Sequence, residues 1–252
     1  MKPYYDHAGA TIYHGDFRNV LPFFESASIN HVVTDPPYEA EAHAAGRRLN
    51  GRGMPTGVRE IHAAPLSFAP MTDELRAEFS AQTARLSTGW ILAFCQAEAV
   101  AEWRDALEKA GAKWRRAMVW VKPDSAPQLS GDRPAQGYES IAAAWSGDGR
   151  SVWNGGGKRG VFTHCKHDRG FGYGGSSNGH ETRKPISLML ELLSLFTSPG
   201  DLLLDPFMGS GTTLVAAKTL GRRVIGVELE EKNCELAARR LSQDMLTYEV
   251  SL

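Results

Sequence analysis

Two short segments of this chain hold residue types whose spacing could do chemistry. The first is Thr34-Asp35-Pro36-Pro37-Tyr38. It sets a carboxylate, a turn fixed by two prolines and an aromatic face within a few residues of each other. An amino group conjugated to a heteroaromatic ring is a poor nucleophile, because its lone pair is delocalised into the ring. Two acceptors on its hydrogens help to pyramidalise the nitrogen and free that lone pair. The Asp35 carboxylate and the Pro36 carbonyl could be those acceptors, with Tyr38 stacked on the ring. Standing alone, Asp-Pro-Pro would equally be an ordinary turn.

The second segment is Leu204-Asp205-Pro206-Phe207-Met208-Gly209-Ser210-Gly211-Thr212-Thr213. Gly209 and Gly211 let the backbone approach a ligand without a Cβ in the way. The helix that follows offers free N–H groups at its start. Further on, the apolar run Val224 to Val227 ends in Glu228, where an acid can accept from ribose hydroxyls. The loop lacks the lysine of a phosphate-binding loop and does not fit GxGxxG. Its ligand is therefore expected to carry a ribose but no phosphate chain.

These segments need a frame. Strands are expected at Thr11 to His14, Ile29 to Thr34, Trp90 to Phe94, Lys113 to Lys122, Tyr138 to Trp145, Asp201 to Leu204 and Arg223 to Val227. Helices are expected at Arg18 to Glu25, Thr72 to Leu86, Ala97 to Ala110, Pro185 to Leu195, Thr212 to Leu220 and Glu230 to Gln243. Strands alternating with helices give an α/β fold with a parallel sheet covered on both faces. The paired prolines end the second strand, since neither can donate to a ladder. Residues 39–70 and 146–183 show no regular period, and the second is rich in glycine.

The 252 residues carry 28 Lys and Arg against 29 Asp and Glu, a net charge of −1, so bulk charge names no partner. Local charge does. Arg47, Arg48, Arg52 and Arg59 crowd a stretch without acids. Lys158 and Arg159 lie in the glycine-rich region with Trp153, Phe162, Phe171 and Tyr173 nearby. Such residues on loops suit phosphate contact and groove readout, although solvated loops would look the same. Cys95, Cys165 and Cys234 are scattered and odd in number, which fits a reducing cytoplasm better than a disulfide framework. The polar start is unlike a signal peptide, and no apolar run approaches the ~20 residues of a membrane span. His164-Cys165-Lys166-His167 lacks a second ligand pair at zinc spacing, so no metal is expected.

Together, the two segments resemble the amino-group DNA methyltransferases that make N6-methyladenine or N4-methylcytosine. The Asp-Pro-Pro-Tyr element precedes the glycine loop, the order of that family's beta class. The likeness extends through Gly15-Asp16-Phe17, His180-Glu181-Thr182-Arg183-Lys184-Pro185 and Gly221 to Glu228. It implies one circularly permuted methyltransferase domain over 1–252, with recognition loops inserted at 39–70 and 146–183. The fold implied is a Rossmann-like sheet of seven mostly parallel strands, one of them antiparallel.

By the same resemblance the cofactor is S-adenosyl-L-methionine. Asp205, Phe207, Gly209 and Gly211, with Ser210 and Thr212 between and beside them, would line its methionine part. Glu228 would take the ribose, Asp16 and Phe17 the adenine, and Lys184 or Thr182 would lie near the carboxylate. Asp35, Pro36 and Tyr38 would act on the target amine. Trp120 is either the second wall of the base pocket or core. Cytosine members usually have Ser where Asp35 stands, so adenine N6 is favoured over cytosine N4. RNA and protein amides, served by related turns with Asn in that place, are further alternatives. A DNA-binding protein with a degenerate site is a rival of another class, opposed by the intact Asp35, Tyr38, Asp205 and glycine loop. The partner implied is double-stranded DNA, from which the base must leave the stack to reach Asp35. A homodimer and a companion restriction endonuclease stay open.

Overall fold

The structure, a computed structural model, describes residues 1–38, 70–128, 131–166 and 183–243. Arg47, Arg48, Arg52, Arg59, Thr182 and most of the 39–70 stretch lie outside the described residues. The strands are β1 (Tyr5–His7), β2 (Ala10–His14), β3 (His31–Thr34), β4 (Trp90–Cys95), β5 (Lys113–Val121), β6 (Tyr138–Trp145), β7 (Val161–Thr163), β8 (Leu202–Asp205) and β9 (Arg223–Glu228). They form one sheet in the order β1-β2-β9-β8-β3-β4-β6-β5-β7.

From β2 through β4 all neighbours run parallel, while β6 is antiparallel to both β4 and β5. The seven strands from β2 to β5 thus match the expected sheet with one antiparallel member. Two short edge strands add to it. β1 folds back on β2 through Ala8 and Gly9, both at positive φ. β7 runs parallel to the free edge of β5. The 146–183 region is therefore not irregular throughout: Phe162 is buried at the centre of β7, and that anchor is enough to seat three residues.

β3 and β4 are buried along their whole length, as befits strands covered on both faces. The helices are α1 (Phe17–Val20), α2 (Asp73–Leu86), α3 (Val100–Lys109), α4 (Ile186–Phe196), α5 (Thr212–Thr219) and α6 (Glu231–Ser242). Alternation along the strands divides the core. Val33 and Leu92 pack with Leu188, Leu192, Leu214 and Leu241 of α4, α5 and α6. Val32 and Ile91 pack with Phe17, Phe79, Trp103 and Leu107 of α1, α2 and α3. Full burial of side chains such as Phe79 and Trp103 contributes about 2 kcal/mol each. Thr72 starts α2 by accepting from the Leu75 N–H at 3.2 Å. α1 is shorter than the expected Arg18 to Glu25, because the chain tightens into a 3-10 turn at Leu21–Phe23 around Pro22.

Register sets the functional edge. His14 pairs with Glu228, Asp205 with Gly226, Val32 with Leu204 and Thr34 with Ala93. The carboxyl ends of β2, β9, β8, β3 and β4 consequently lie side by side. Asp16, Glu228, Asp205 and Asp35 stand along that one edge, where open α/β sheets bind ligands.

Candidate active site

Asp35 leaves β3 and meets Lys184, which lies just ahead of α4. Lys184 Nζ donates to Asp35 Oδ2 at 2.6 Å and to the Tyr38 hydroxyl at 3.1 Å. It also pairs with Glu139 Oε2 at 3.2 Å, and Glu139 is bonded in turn by Lys122. Asp35 Oδ1 is buried and accepts no hydrogen bond among the described residues. Burial pushes the Asp35 acid above its ordinary range, against the pull of Lys184 and with the push of Glu139. Burial alone would lower Lys184, but Asp35, Tyr38 and Glu139 hold it charged and well above its usual range. Burial likewise raises the Tyr38 phenol.

The glycine loop begins at Asp205, which is only 2% exposed. Its Oδ1 accepts from the Thr34 hydroxyl at 2.6 Å and from the Phe207 N–H at 3.2 Å. Burial pushes this acid up to about 6, opposed by the Thr213 and Thr34 hydroxyls. Gly209 (φ +51°) donates its N–H to Glu228 Oε2 at 3.0 Å, and a Cβ added there would meet nothing within 4 Å. Gly211 (φ +80°) caps α5, and a Cβ there would come within 2.7 Å of Ala237 Cβ. Arg240 of α6 is buried and holds the loop from the other side, donating to the Ser210 carbonyl at 2.6 Å, with the Thr212 hydroxyl 3.3 Å away.

Beside the loop, the Gly15 N–H donates to the Glu228 carbonyl at 2.8 Å, which brings Asp16 next to Glu228. Asp16 caps α1 and is held below the ordinary carboxylate range by its hydrogen bond from Arg18. Phe17 lies edge-on to Phe207 with centroids 5.1 Å apart, and Phe207 stacks on Phe79 at 5.9 Å. Three acids, two aromatic rings and a loop with room at Gly209 stand together on this edge and offer acceptors and negative charge. That acceptor set fits S-adenosylmethionine, which brings an ammonium group, a ribose diol and an adenine amine, and it is unsuited to a polyphosphate.

Trp120 is 2% exposed and donates its Nε1–H to the His164 carbonyl at 2.9 Å. Its ring lies edge-on to Phe94, with the Lys122 ammonium 4.9 Å and the Lys184 ammonium 5.9 Å from its centroid. The structure thus packs Trp120 in the core against the charged groups behind Asp35. His164 directs its ring nitrogens at Ser187 (3.0 Å) and Glu191 (2.7 Å). Lys158 and Arg159 are exposed and precede β7. Lys158 lines a cavity with Trp90, which begins β4, and Phe196, which ends α4. Both basic residues therefore stand by the edge strand β7, four strands along the sheet from β3.

Sequence reasoning missed Lys122, Glu139, Phe94, Thr34 and Arg240. A signal existed for two of them: Lys122 follows the apolar run Ala117 to Val121, and Glu139 is the one acid of β6.

Acids thus stand at successive strand ends of this sheet, and the Asp-Pro-Pro-Tyr turn lies beside the glycine loop. The chain belongs to the N6/N4 methyltransferase family, described as DNA methylase, whose profile matches residues 29–239. It is 28% identical over 259 residues to the Type II methyltransferase M2.LlaDCHI of Lactococcus lactis subsp. cremoris, covering 96% of this chain and 93% of that one. It is 29% identical over 262 residues to the Type II methyltransferase M2.DpnII of Streptococcus pneumoniae, with the same shares of 96% and 93%. Among solved structures, M1.HpyAVI in complex with SAM superposes with a TM-score of 0.69 at 26% identity, over 93% of this chain and 100% of that one. The cytosine-N4-specific PvuII DNA methyltransferase gives a TM-score of 0.72 over 96% and 90%, but at 15% identity the likeness is one of fold alone.

Proposed function

We propose that the chain is a beta-class enzyme that methylates the N6 amino group of adenine at a specific site in double-stranded DNA, with S-adenosylmethionine as donor. The observation that carries this reading is the buried Oδ1 of Asp35, without a hydrogen-bond partner among the described residues and one strand away from the Asp205 acid. When bound, S-adenosylmethionine supplies an electrophilic methyl group on a sulfonium centre.

The chain's own residues do the rest. Asp205 and the loop of Phe207, Gly209, Ser210, Gly211 and Thr212 would hold the methionine end. Glu228 would accept from the ribose, and Asp16 and Phe17 would flank the adenine. Thr182, outside the described residues, would join them near the carboxylate. Asp35 Oδ1 and the Pro36 carbonyl would accept the two N6 hydrogens of the flipped-out target, and Tyr38 would stack on its ring. These contacts free the nitrogen lone pair and hold it in line with the methyl group, so positioning and electrostatics account for the rate. Asp35 rather than Ser at this position supports adenine over cytosine.

The test is to offer labelled cofactor with DNA, RNA and protein, then digest and identify the modified unit. N6-methyladenine from duplex DNA is expected. N4-methylcytosine, or label confined to RNA or protein, would overturn the assignment.

A further inference from the structure

Behind the Asp-Pro-Pro-Tyr turn, four charged side chains from separate parts of the chain alternate in sign. Asp35 follows β3, Lys184 precedes α4, Glu139 lies on β6 and Lys122 follows β5. The contacts run from Asp35 to Lys184 at 2.6 Å, from Lys184 to Glu139 at 3.2 Å and from Glu139 to Lys122. The Lys184, Glu139 and Lys122 side chains are only 7%, 12% and 13% exposed. Aromatic faces close around the Lys184 ammonium, with Phe94 at 5.0 Å, Tyr38 at 5.4 Å and Trp120 at 5.9 Å.

Burying such a row costs several kcal/mol per ion, and well-packed apolar residues would stabilise the fold as well or better. A role in stability therefore explains it poorly. An ammonium group has three hydrogens. Asp35 Oδ2 and the Tyr38 hydroxyl accept two of them at 2.6 and 3.1 Å, and Glu139 Oε2 faces the same ammonium as an ion-pair partner at 3.2 Å, so the group is directed at the turn. The resemblance put Lys184 or Thr182 near the cofactor carboxylate; here Lys184 bonds the turn.

We propose that Lys184 is a positioning residue for methyl transfer: it pins Asp35 through Oδ2 and Tyr38 through its hydroxyl, leaving Asp35 Oδ1 as the acceptor for the target amine, while Glu139, backed by Lys122, fixes and balances the ammonium. One side chain thereby sets both ends of the turn, the acceptor and the stacking ring. Without Glu139 the ammonium would draw charge from Asp35 and weaken it as an acceptor. The inference rests on Asp35 acting on the amine as proposed above.

Two variants should move the enzyme in opposite directions. The groups facing Asp35 are Lys184, Glu139, Lys122, Tyr38 and, across β8, Asp205. The Lys184 charge makes Asp35 easier to ionise and the Glu139 charge makes it harder. The experiment measures single-turnover methyl transfer to duplex DNA across pH, with cofactor affinity titrated separately. Lys184→Met is expected to slow transfer about 100-fold, the scale of a misplaced reacting group, and to shift the acid limb of the profile to higher pH. Glu139→Gln is expected to shift that limb to lower pH. Lys184→Arg should recover part of the rate, and cofactor affinity should stay within about threefold throughout.

A large drop in cofactor affinity in Lys184→Met, or acid limbs that do not move apart, overturns the proposal. Should Lys184→Met fail to fold, the direction of the shift in Glu139→Gln decides, with Lys184→Arg as its control. Asp35→Ala separates the two levels of the argument. If it retains full rate, the reading of the site falls and this inference with it. If it is inactive while the Lys184 and Glu139 variants keep the parental pH profile, only the positioning role falls.

Discussion

The Thr34 hydroxyl donates to Asp205 Oδ1 at 2.6 Å, so the residue just ahead of the Asp-Pro-Pro-Tyr turn is bonded to the acid that opens the glycine loop. The bond crosses from β3 to β8 and ties the two chemical segments together at their strand ends. Thr34→Val keeps the shape and removes the donor. Asp205 would then ionise less readily, since the Thr34 hydroxyl helps to hold its pKa down. Cofactor affinity at pH 7 is expected to fall by about 1 kcal/mol, the worth of one hydrogen bond. The pH at which affinity is halved should rise. Calorimetric titration of cofactor between pH 5 and pH 8 checks both.

Asp205 also links function to stability. Its native pKa of about 6 lies above the ordinary 3.8, so between those values the folded chain keeps a proton that the unfolded chain releases. Stability therefore falls as pH rises through that window and is level above it. The displacement corresponds to about 3 kcal/mol of strain on the free protein at neutral pH. Asp205→Asn removes the charge and should raise the denaturation midpoint at pH 7, with little gain at pH 4, while cofactor binding is abolished. A variant less stable than the parent at pH 7 would show that the buried charge is better satisfied than burial indicates.

Glu228 accepts from the N–H groups of Gly209 and Glu230, at 3.0 and 2.8 Å, as well as standing where a ribose would bind. Glu228→Ala should weaken cofactor binding by about 1.5–3 kcal/mol, the range for hydrogen bonds to a charged group. Saturating cofactor should restore much of the rate, because nothing assigned to the target amine has been touched. Unchanged affinity in a binding titration would remove Glu228 from the cofactor site.

For DNA, the arginines and the Lys158–Arg159 pair can be tested apart. Replacing Arg47, Arg48 and Arg52 with Ala should weaken duplex binding and flatten its salt dependence. The log–log slope is expected to change by about one unit for each phosphate no longer neutralised. Lys158 and Arg159 stand by the edge strand β7, four strands from β3, and their replacement is expected to leave the slope near that of the parent. Anisotropy titrations over a range of salt measure this. The reverse pattern would move the DNA surface to the edge formed by β5 and β7.

Some of the site was legible in the sequence because its chemistry is local. Asp205, Gly209 and Gly211 share one loop, Asp35 and Tyr38 share one turn, and Glu228 ends the next strand of the same unit. Alternation of strands and helices placed those loops at a common edge. What escaped depends on residues distant in the chain. Lys184 and Asp35 lie 149 residues apart, and spacing alone cannot say which acid a long lysine stem reaches. Lys122 and Glu139 read as ordinary strand-end charges until the sheet sets them beside Lys184. Arg240 reads as one more basic residue on an amphipathic helix, yet it is buried against Ser210. The strand Val161–Thr163 hides in a glycine-rich run because its order comes from the edge of β5.

The pairing of β2 with β9 has a consequence for how the protein is made. His14 and Leu229 stand 215 residues apart in the chain, yet the His14 ring and the Leu229 carbonyl meet at 3.1 Å. β2 is synthesised well before β9, its inner neighbour, so Asp16 and Glu228 come together only after the chain between them has been made. Pairings of such long separation also form slowly. The edge shared by Asp16 and Glu228 therefore forms late relative to the pairing of β8 with β9, whose partners lie close together in the chain.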